Sequence, residues 1–271
     1  PDKALQEDVL DFLSRRETHG CAEEPKRIDT HGAIVFLAGP DAYKVKRAVR
    51  LPFLDYSTLD RRKAACEAEI AVNRANAPDI YLGTIPIVRD GRDFRIGGPG
   101  EIVEWAVHLK RFDETQTLDL MTDRGELDAE AVRALAEAVL LAHQKAEVRK
   151  DARATGALQA VIEETSAALQ SDSVLFPAHE AADFTRRLGS AFASVRPLLE
   201  ARECQGHVRA CHGDLHLRNI VLIEDRPVLF DAIEFDEAIS VTDVLYDLAF
   251  LLMDLWTRGL RDEANHVLNR Y

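Results

Sequence analysis

The sequence of 271 residues lacks several features that mark common classes of protein. Its four cysteines form no CxxC pair, which argues against a zinc ribbon or a thioredoxin-type site and fits a reduced cytosol. The apolar run LAFLLMDLW near the end is far too short to span a bilayer, and the opening PDKALQEDVL has no signal-peptide core. We therefore expect a cytoplasmic protein that does not enter a membrane.

Basic charge is also scarce. There are 34 basic against 47 acidic residues, which gives a net charge of −13. A protein whose main partner is nucleic acid needs a basic face, so this class is disfavoured. The acidic excess is compatible with a cationic small substrate, although most such charge serves solubility. The hydrophobic fraction of 46% is enough for a sizeable core.

The pattern of the chain changes near residues 112–113. Before this point, strand patterns at 33–39, 42–47 and 101–112 accompany a hairpin and two helices. The first helix is predicted over residues 4–16, and a capping box of Ser57 and Asp60 is predicted to begin the second. After it, long amphipathic helices dominate, with a short hairpin at 220–230 and a final buried helix. Both tryptophans are predicted to be core residues. The end at NHVLNRY has no helix-stop signal, which suggests truncation.

These patterns predict the α+β class with two lobes. Residues 1–112 would form a small, β-rich N-lobe with an antiparallel sheet and a helix. Residues 113–271 would form a larger helical C-lobe, which carries the motif described next.

The stretch CHGDLHLRNIVL, residues 211–222, concentrates ionisable side chains immediately before an apolar run. His212 and His216 have the spacing of zinc ligands on a helix, but the glutamate of HExxH is missing and Gly213 disfavours a helix. Cys211 beside His212 could form a nucleophile pair, but the surrounding motif already accounts for the histidine. We therefore disfavour both interpretations.

Phosphoryl transfer explains the stretch better. This chemistry needs a carboxylate for the attacking hydroxyl, ligands for Mg²⁺ and a cation for the phosphates. Asp214 and Asn219 are five residues apart on one loop, a spacing that can direct a base and a magnesium ligand into one cleft. Asp231 ends the apolar strand PVLF, and the hairpin would bring it back to Asn219. Such a small set of oxygen ligands suits Mg²⁺.

The succession HGDLHLRN, FDAIEFD and TDVLYDLA resembles the signature of aminoglycoside phosphotransferases and choline kinases, relatives of the protein kinases with their HRDxxxxN and DFG motifs. A finer likeness, to a bacterial family whose kinase-like half precedes a P-loop ATPase half, is carried by FLAGPDAYKVKR, LPFLDYSTLDRR and DAIEFDEAISVTDVLYDLAFLLMDL. It covers nearly the whole chain and implies a bilobal protein-kinase-like fold. No GxxxxGK[ST] motif occurs, so a P-loop ATPase domain would belong to a longer parent chain.

The resemblance also implies roles for the loop residues. Asp214 resembles the catalytic base, and Asn219 and Asp231 resemble the magnesium ligands. His212 is expected to hold the loop by hydrogen bonds of its ring. His216 stands where protein kinases usually carry a lysine, and a histidine there favours a small-molecule acceptor.

The phosphate-binding cation has two candidates on one strand. Lys44 and Lys46 point to the same side because side chains alternate, so periodicity cannot choose between them. Ala42 precedes Lys44 by two positions, as the small residue does in the kinase VAIK pattern. We favour Lys44; Lys46 would otherwise be an exposed lysine at the strand end.

The lysine is expected to pair with a glutamate of the following helix, either Glu67 or Glu69. Lys63 lies four residues before Glu67, which is typical of a surface ion pair. Glu69 shares a helical stripe with Cys66 and Asn73, which indicates an inward position. We therefore favour Glu69.

The glycine-rich GxGxxG loop of the protein kinases is absent, and only Gly32 precedes the first strong strand. Thr30, His31 and Gly32 would instead form a different turn facing the phosphates. The adenine is expected against the lobe connection, at backbone groups of Lys110 to Phe112.

Four of the acidic residues beyond Asp231 have predicted roles. Glu234 and Asp236 are candidates for binding a cationic substrate or a second metal, with ordinary loop polarity an equal alternative for Asp236. Asp243 is predicted to stabilise a helix N-terminus. Asp247 is predicted to brace the catalytic loop through backbone amides.

Together these features predict a Mg²⁺-dependent phosphotransferase that moves the γ-phosphoryl group of ATP to a hydroxyl of a small molecule, such as a sugar, an aminoglycoside or an amino alcohol. A bacterial Ser/Thr protein kinase would use the same site. A nucleotide-binding regulatory module without turnover is the third hypothesis, and the missing glycine-rich loop is its main support.

Overall fold

The computed structural model describes residues 2–51, 54–172 and 174–271. Pro52 and Phe53 of the LPFLDYSTLDRR stretch lie outside the described residues. The first part contains helices α1 (Asp2–Leu13), α2 (Arg16–His19) and α3 (Leu59–Asn73), and strands β1 (Lys26–Asp29), β2 (Ala33–Ala38), β3 (Asp41–Lys46), β4 (Arg50–Leu51), β5 (Leu54–Asp55), β6 (Tyr81–Asp90), β7 (Asp93–Ile96) and β8 (Glu101–Lys110).

The main sheet is antiparallel in the order β1-β2-β3-β8-β6-β7. Its strands present one side to α1, where Phe36, Val45 and Ile87 pack against Leu10 and Leu13. The opposite side packs against α3, so the central strands are apolar on both faces rather than on alternate residues. Strand β3, which carries both candidate lysines, therefore lies between α1 and α3.

Helix α3 begins one residue later than the capping box predicted. Thr58 is the N-cap, and its hydroxyl accepts from the amide of Arg61 at 3.4 Å. Ser57 cannot serve because its hydroxyl already donates to the carboxylate of Asp55 at 2.6 Å. The prediction of a Ser57 cap is therefore wrong.

The second part is mainly helical. Its helices are α4 (Leu118–Asp123), α5 (Ala129–Lys145), α6 (Ala154–Ser171), α7 (Ala178–Cys204), α8 (Glu237–Ser240), α9 (Val244–Thr257) and α10 (Arg261–Arg270), with 3-10 turns at Glu114–Gln116 and Leu217–Asn219. Strands β9 (Val208–Ala210) and β12 (Val241–Asp243) pair with each other, as do β10 (Ile220–Ile223) and β11 (Arg226–Leu229). No helix within the described residues is long and apolar enough to cross a membrane.

The core of this part forms around the stretch 211–222 itself. Leu215 and Leu217 are fully buried between apolar side chains of α5, α9 and α10, including Leu135 and Leu251. The polar residues of the loop alternate with these leucines and are therefore held at the surface of a rigid core. Helix α10, which the sequence patterns did not predict, completes that core.

The structure confirms the α+β class, with an antiparallel sheet followed by a helical part. The predicted lobe boundary falls between Lys110, where β8 ends, and the 3-10 turn that begins at Glu114. Trp256 is not a core residue: it is 56% exposed, and the Arg261 guanidinium lies 4.8 Å from its ring centroid. Trp105 is half-buried, with the Lys63 ammonium 5.1 Å from its ring centroid.

Candidate active site

Asp247 and His212 shape the loop that follows β9. The buried carboxylate of Asp247 accepts hydrogen bonds from the amides of His212 at 3.2 Å and Gly213 at 2.8 Å, as predicted. The His212 ring contacts the carbonyl oxygen of Phe230 at 2.9 Å through Nε2 and accepts from the Asp214 amide at 3.4 Å through Nδ1. Burial lowers the pKa of His212, which suits a neutral ring that holds the loop rather than one that transfers protons.

Gly213 is required where the loop turns. Its φ is +81°, and a Cβ there would lie 3.2 Å from the Cα of Ser240 and 3.3 Å from the Cβ of Ile233. A side chain would therefore meet both a strained backbone conformation and a close neighbour. The turn directs the next side chain, that of Asp214, out of the core and towards the cleft.

The Asp214 carboxylate is fixed from two sides. His216 Nε2 lies 3.2 Å from Oδ1, and the Asn219 amide donates to Oδ2 at 3.0 Å. The hydrogen bond from His216 lowers the pKa of Asp214, and the same bond raises the pKa of His216. The carboxylate is thus ionised at neutral pH and held in a single orientation.

The coupling of His216 to Asp214 gives a pH-dependent prediction. Because the folded-state pKa of His216 is raised, its contribution to stability is present below about pH 6.5 and is lost as the pH rises through the raised value. In an Asp214→Asn protein, the pKa of His216 should fall towards its ordinary value. An NMR titration of the His216 Hε1 resonance in both proteins measures this; identical midpoints would show that the two residues are not coupled.

Asp231 follows β11 with an unusual backbone. Its φ is +61°, a left-handed conformation that is costly for a residue other than glycine and that clusters at functional sites. Its amide donates to the Tyr81 hydroxyl at 3.0 Å, and Asn73 of α3 accepts from the next amide, that of Ala232, at 2.8 Å. The β10–β11 hairpin returns the chain to the loop, where the Phe230 amide donates to the Asn219 carbonyl at 3.0 Å.

Lys44 connects this segment to the sheet. Its Nζ donates to Glu69 Oε1 at 2.8 Å and to Asp231 Oδ1 at 2.6 Å. Glu69 is fully buried, whereas Glu67 forms the surface pair with Lys63, so the expected choice of glutamate is confirmed. Desolvation would raise the pKa of Asp231, but the charge and hydrogen bond of Lys44, together with the charge of Lys46, outweigh it and lower this pKa to about 2.

Lys46 also lies in this cluster, so the interpretation of it as an exposed strand-end lysine is wrong. Only 3% of the residue is exposed. Its Nζ lies 2.5 Å from Glu69 Oε2 and 2.5 Å from Glu234 Oε1. The Tyr56 hydroxyl donates to Glu234 at 3.1 Å.

The carboxylates suggested for a cationic substrate have internal partners instead. Glu234 is buried against Lys46 and Tyr56. Asp236 is the N-cap of α8 and accepts from the Ala238 amide at 2.8 Å. Both carboxylates therefore have partners within the chain, and a substrate role for either stays a prediction.

An apolar pocket of about 410 Å³ lies beside Lys44, between the sheet and the helical part. Its walls include Val35, Leu37, Ala42, Leu109 and Phe230, and the segment 110–112 forms one edge. The amides of Lys110 and Arg111 donate to the carbonyls of Ile80 and Pro40, both at 2.8 Å. The amide of Phe112 has no such partner within the described residues.

A second cavity of about 430 Å³ continues past the ion pairs. The turn at Thr30, His31 and Gly32 lines it, and so do the charged residues Lys44, Lys46, Asp214, Asp231 and Glu234. The turn is tight because the Thr30 hydroxyl bonds the Ala33 amide at 3.0 Å. The predicted phosphate-facing turn and the predicted base and metal ligand thus share one cavity.

Cys211 is not an available nucleophile. Its thiol contacts the Thr242 carbonyl at 3.6 Å, and burial raises its pKa far above the ordinary value.

A candidate ligand group for a metal, formed by His143, Cys211 and Asp247, has atoms within 4.8 Å of one another. Asp247 is already engaged there by backbone amides and by His143 at 3.0 Å.

Three neighbours of the site were not assigned from the sequence. Tyr81 and Tyr56 contribute hydroxyls to Asp231 and Glu234, and Asn73 holds Ala232. Only Asn73 had a signal, because it lies four residues after Glu69 on the inward stripe of α3. The tyrosines contact residues that are 150 and 178 positions away, which no local pattern shows.

Comparison with known proteins places this geometry in a family. The model of the phosphotransferase enzyme family (APH) matches residues 89–271. The chain belongs to this family. Uncharacterized proteins of Mycobacterium tuberculosis and Mycobacterium bovis are each 31% identical over 266 residues, covering 94% of this chain and 51% of theirs. The chain thus spans about half the length of the curated relatives it matches.

A solved structure shows the same fold. A choline/ethanolamine kinase family protein from Mesorhizobium loti superposes with a TM-score of 0.56 at 15% identity, covering 98% of this chain and 76% of that chain. At this identity the likeness concerns the fold alone. It agrees with the bilobal kinase-like architecture that the sequence resemblance implied.

Proposed function

We propose that this phosphotransferase moves the γ-phosphoryl group of ATP, with Mg²⁺, to a hydroxyl of a small molecule. One observation carries the proposal: Lys44 joins Glu69 of the sheet-side helix to Asp231 of the helical part, at 2.8 and 2.6 Å. Asp214 lines the same cavity as this ion pair. Base, cation and metal-ligand candidates therefore come from widely separated positions to one cleft, as phosphoryl transfer requires.

The donor set fits Mg²⁺. Asp231 presents a carboxylate that is 46% exposed, and Asn219 uses its amide nitrogen for Asp214, which leaves its side-chain oxygen unpartnered within the described residues. One carboxylate and one amide oxygen suit an ion that keeps water and phosphate oxygens as its other ligands. The ion would supply neutralisation of negative charge on the phosphates.

The two cavities suit the two ends of a nucleotide. The apolar pocket with the Phe112 amide at its edge supports a site for the adenine. The cavity lined by Lys44, Asp214 and Asp231 supports a site for the phosphates and the acceptor hydroxyl. Asp214 would orient the hydroxyl and accept its proton, and Lys44 would move from Asp231 to a phosphate.

The finer resemblance adds a proposal about the parent protein. We infer that it also carries a P-loop ATPase part, since the curated relatives are about twice as long as the matched region. The sequence of the complete parent chain tests this directly. A GxxxxGK[ST] motif outside the region described above is expected, and its absence would contradict the inference.

The proposed activity is tested by binding and turnover together. Calorimetry with Mg–ATP should show binding, and an ATP-depletion screen of sugars, aminoglycosides and amino alcohols should identify an acceptor. Asp231→Ala should weaken Mg–ATP binding. Binding without consumption in the presence of every acceptor would favour the regulatory module, and radiolabel that enters protein would favour a protein kinase.

A further inference from the structure

Two lysines, rather than one, lie in the buried ion cluster at the cleft. Lys44 pairs with Glu69 and Asp231, and Lys46 pairs with Glu69 and Glu234. Glu69 belongs to α3, whereas Asp231 and Glu234 follow β11 in the helical part. Two ammonium groups therefore face three carboxylates, and the second lysine has no part in the function proposed above.

Lys46 is not available to a ligand in the way that Lys44 is. Its side chain is 4% exposed, against 13% for Lys44, and its Nζ lies between two carboxylate oxygens at 2.5 Å. The Tyr56 ring centroid is 5.5 Å from this ammonium. Gln6 fixes the backbone, since its Nε2 donates to the Lys46 carbonyl at 2.9 Å.

A buried ion pair of Arg62 and Glu104 fixes the position of Tyr56, which lies beside Lys46. Arg62 bonds the Glu104 carboxylate at 2.8 Å and the Tyr56 carbonyl at 3.1 Å, and Gln6 bonds the same Glu104 at 2.6 Å. Tyr56 is thereby held where its hydroxyl reaches Glu234. The surroundings of Lys46 are therefore built to keep this cation in place.

We propose that Lys46 is a positioning residue that balances the charges of Glu69 and Glu234, and so allows Lys44 to leave Asp231 for a nucleotide phosphate. The proposal rests on the function proposed above. Without Lys46, three carboxylates would share the single ammonium of Lys44, and each of them would hold it more strongly in these buried surroundings. With Lys46 in place, Glu69 stays paired while Lys44 moves and Asp231 becomes available to Mg²⁺.

The balance between carboxylates and lysines in this cluster can be changed by substitution. Lys46→Met leaves three carboxylates against one lysine, whereas Lys46→Met with Glu234→Gln restores the native excess of one carboxylate. We expect Lys46→Met to weaken binding of the Mg complex of a non-hydrolysable ATP analogue by about 10- to 100-fold. The double variant should recover most of this affinity, and kcat at saturating ATP should change by less than about threefold in both.

Two further variants complete the test. Lys46→Arg keeps the positive charge in a larger, planar group, so it should lose less nucleotide affinity than Lys46→Met. Lys63→Met removes an exposed lysine of α3 that pairs with Glu67 and should have no effect. Two outcomes would overturn the charge-balancing role without touching the proposed function. One is native affinity in folded Lys46→Met, and the other is a double variant whose affinity stays weakened more than about tenfold. A native protein that binds no Mg–nucleotide would overturn the proposed function and this inference with it.

Discussion

Asp214→Asn is expected to lower kcat by about 10²- to 10⁴-fold, the range for loss of a positioned general base. The amide keeps the size of the side chain but cannot accept the hydroxyl proton as the carboxylate does. Nucleotide affinity should change little, because the apolar pocket and the Lys44 ion pairs do not include Asp214. Calorimetry with Mg–ATP measures the nucleotide affinity, and steady-state turnover with an acceptor found in the screen measures kcat separately.

The matched control is Asp225→Asn in the turn between β10 and β11. Asp225 is exposed and has a φ of +59°, a conformation that asparagine also tolerates. It carries the same chemical change on the neighbouring hairpin and should leave kcat unaltered. Full turnover in Asp214→Asn would contradict the assignment of the base, and equal losses in both variants would indicate a general effect on the fold.

The local parts of this site could be predicted from the sequence. Asp214 and Asn219 lie five residues apart on one loop, and chain connectivity alone keeps them near each other. For this pair the spacing along the chain limits the distance in space, so a pattern in one segment contains most of the information. The bracing role of Asp247 was also predicted, although the amides that it binds lie 34 and 35 positions earlier and chain spacing does not bring them together. The catalytic and metal-binding roles themselves stay predictions.

The parts that required the structure depend on contacts between distant segments. Periodicity left Lys44 and Lys46 equivalent, and both do reach Glu69. They differ in the carboxylate that each meets 187 or 188 positions later, Asp231 for Lys44 and Glu234 for Lys46. No local pattern encodes which carboxylate a lysine meets across a cleft. The partner of Glu234 was missed for the same reason, since Lys46 lies 188 positions before it.

Two sequence predictions, the Ser57 cap and the burial of Trp256, were wrong for local physical reasons. Ser57 and Thr58 both had the chemistry of an N-cap, and the carboxylate of Asp55 engages the first of them. Trp256 ends an apolar run that suggested burial on all sides. Helix α9 instead packs with one face, and Met253 and Trp256 lie on the exposed side at 58% and 56% exposure. Hydrophobic composition identified the helix but not the width of its buried face.

Asp247→Ala is expected to have the largest effect on stability. The carboxylate is completely buried and accepts from the amides of His212 and Gly213, while His143 Nε2 contacts it at 3.0 Å. Alanine would leave two buried amides and one imidazole without this acceptor. At about 1–3 kcal/mol for each of these three unsatisfied buried groups, the free energy of unfolding should fall by about 3–9 kcal/mol. Urea denaturation followed by circular dichroism measures this change.

A milder substitution of the same residue tests how the loop is held. In Asp247→Asn the side-chain oxygen can still accept from one or both amides, so the loss should be smaller than for alanine. Asp262→Ala, in the exposed first turn of α10, is the matched control and should cost no more than about 1 kcal/mol from the helix dipole. Because Gly213 turns the chain directly before Asp214, the fraction of Asp247→Asn that stays folded should also lose turnover. A stable Asp247→Ala protein with native turnover would mean that the buried core around Leu215 and Leu217 positions the loop without this carboxylate.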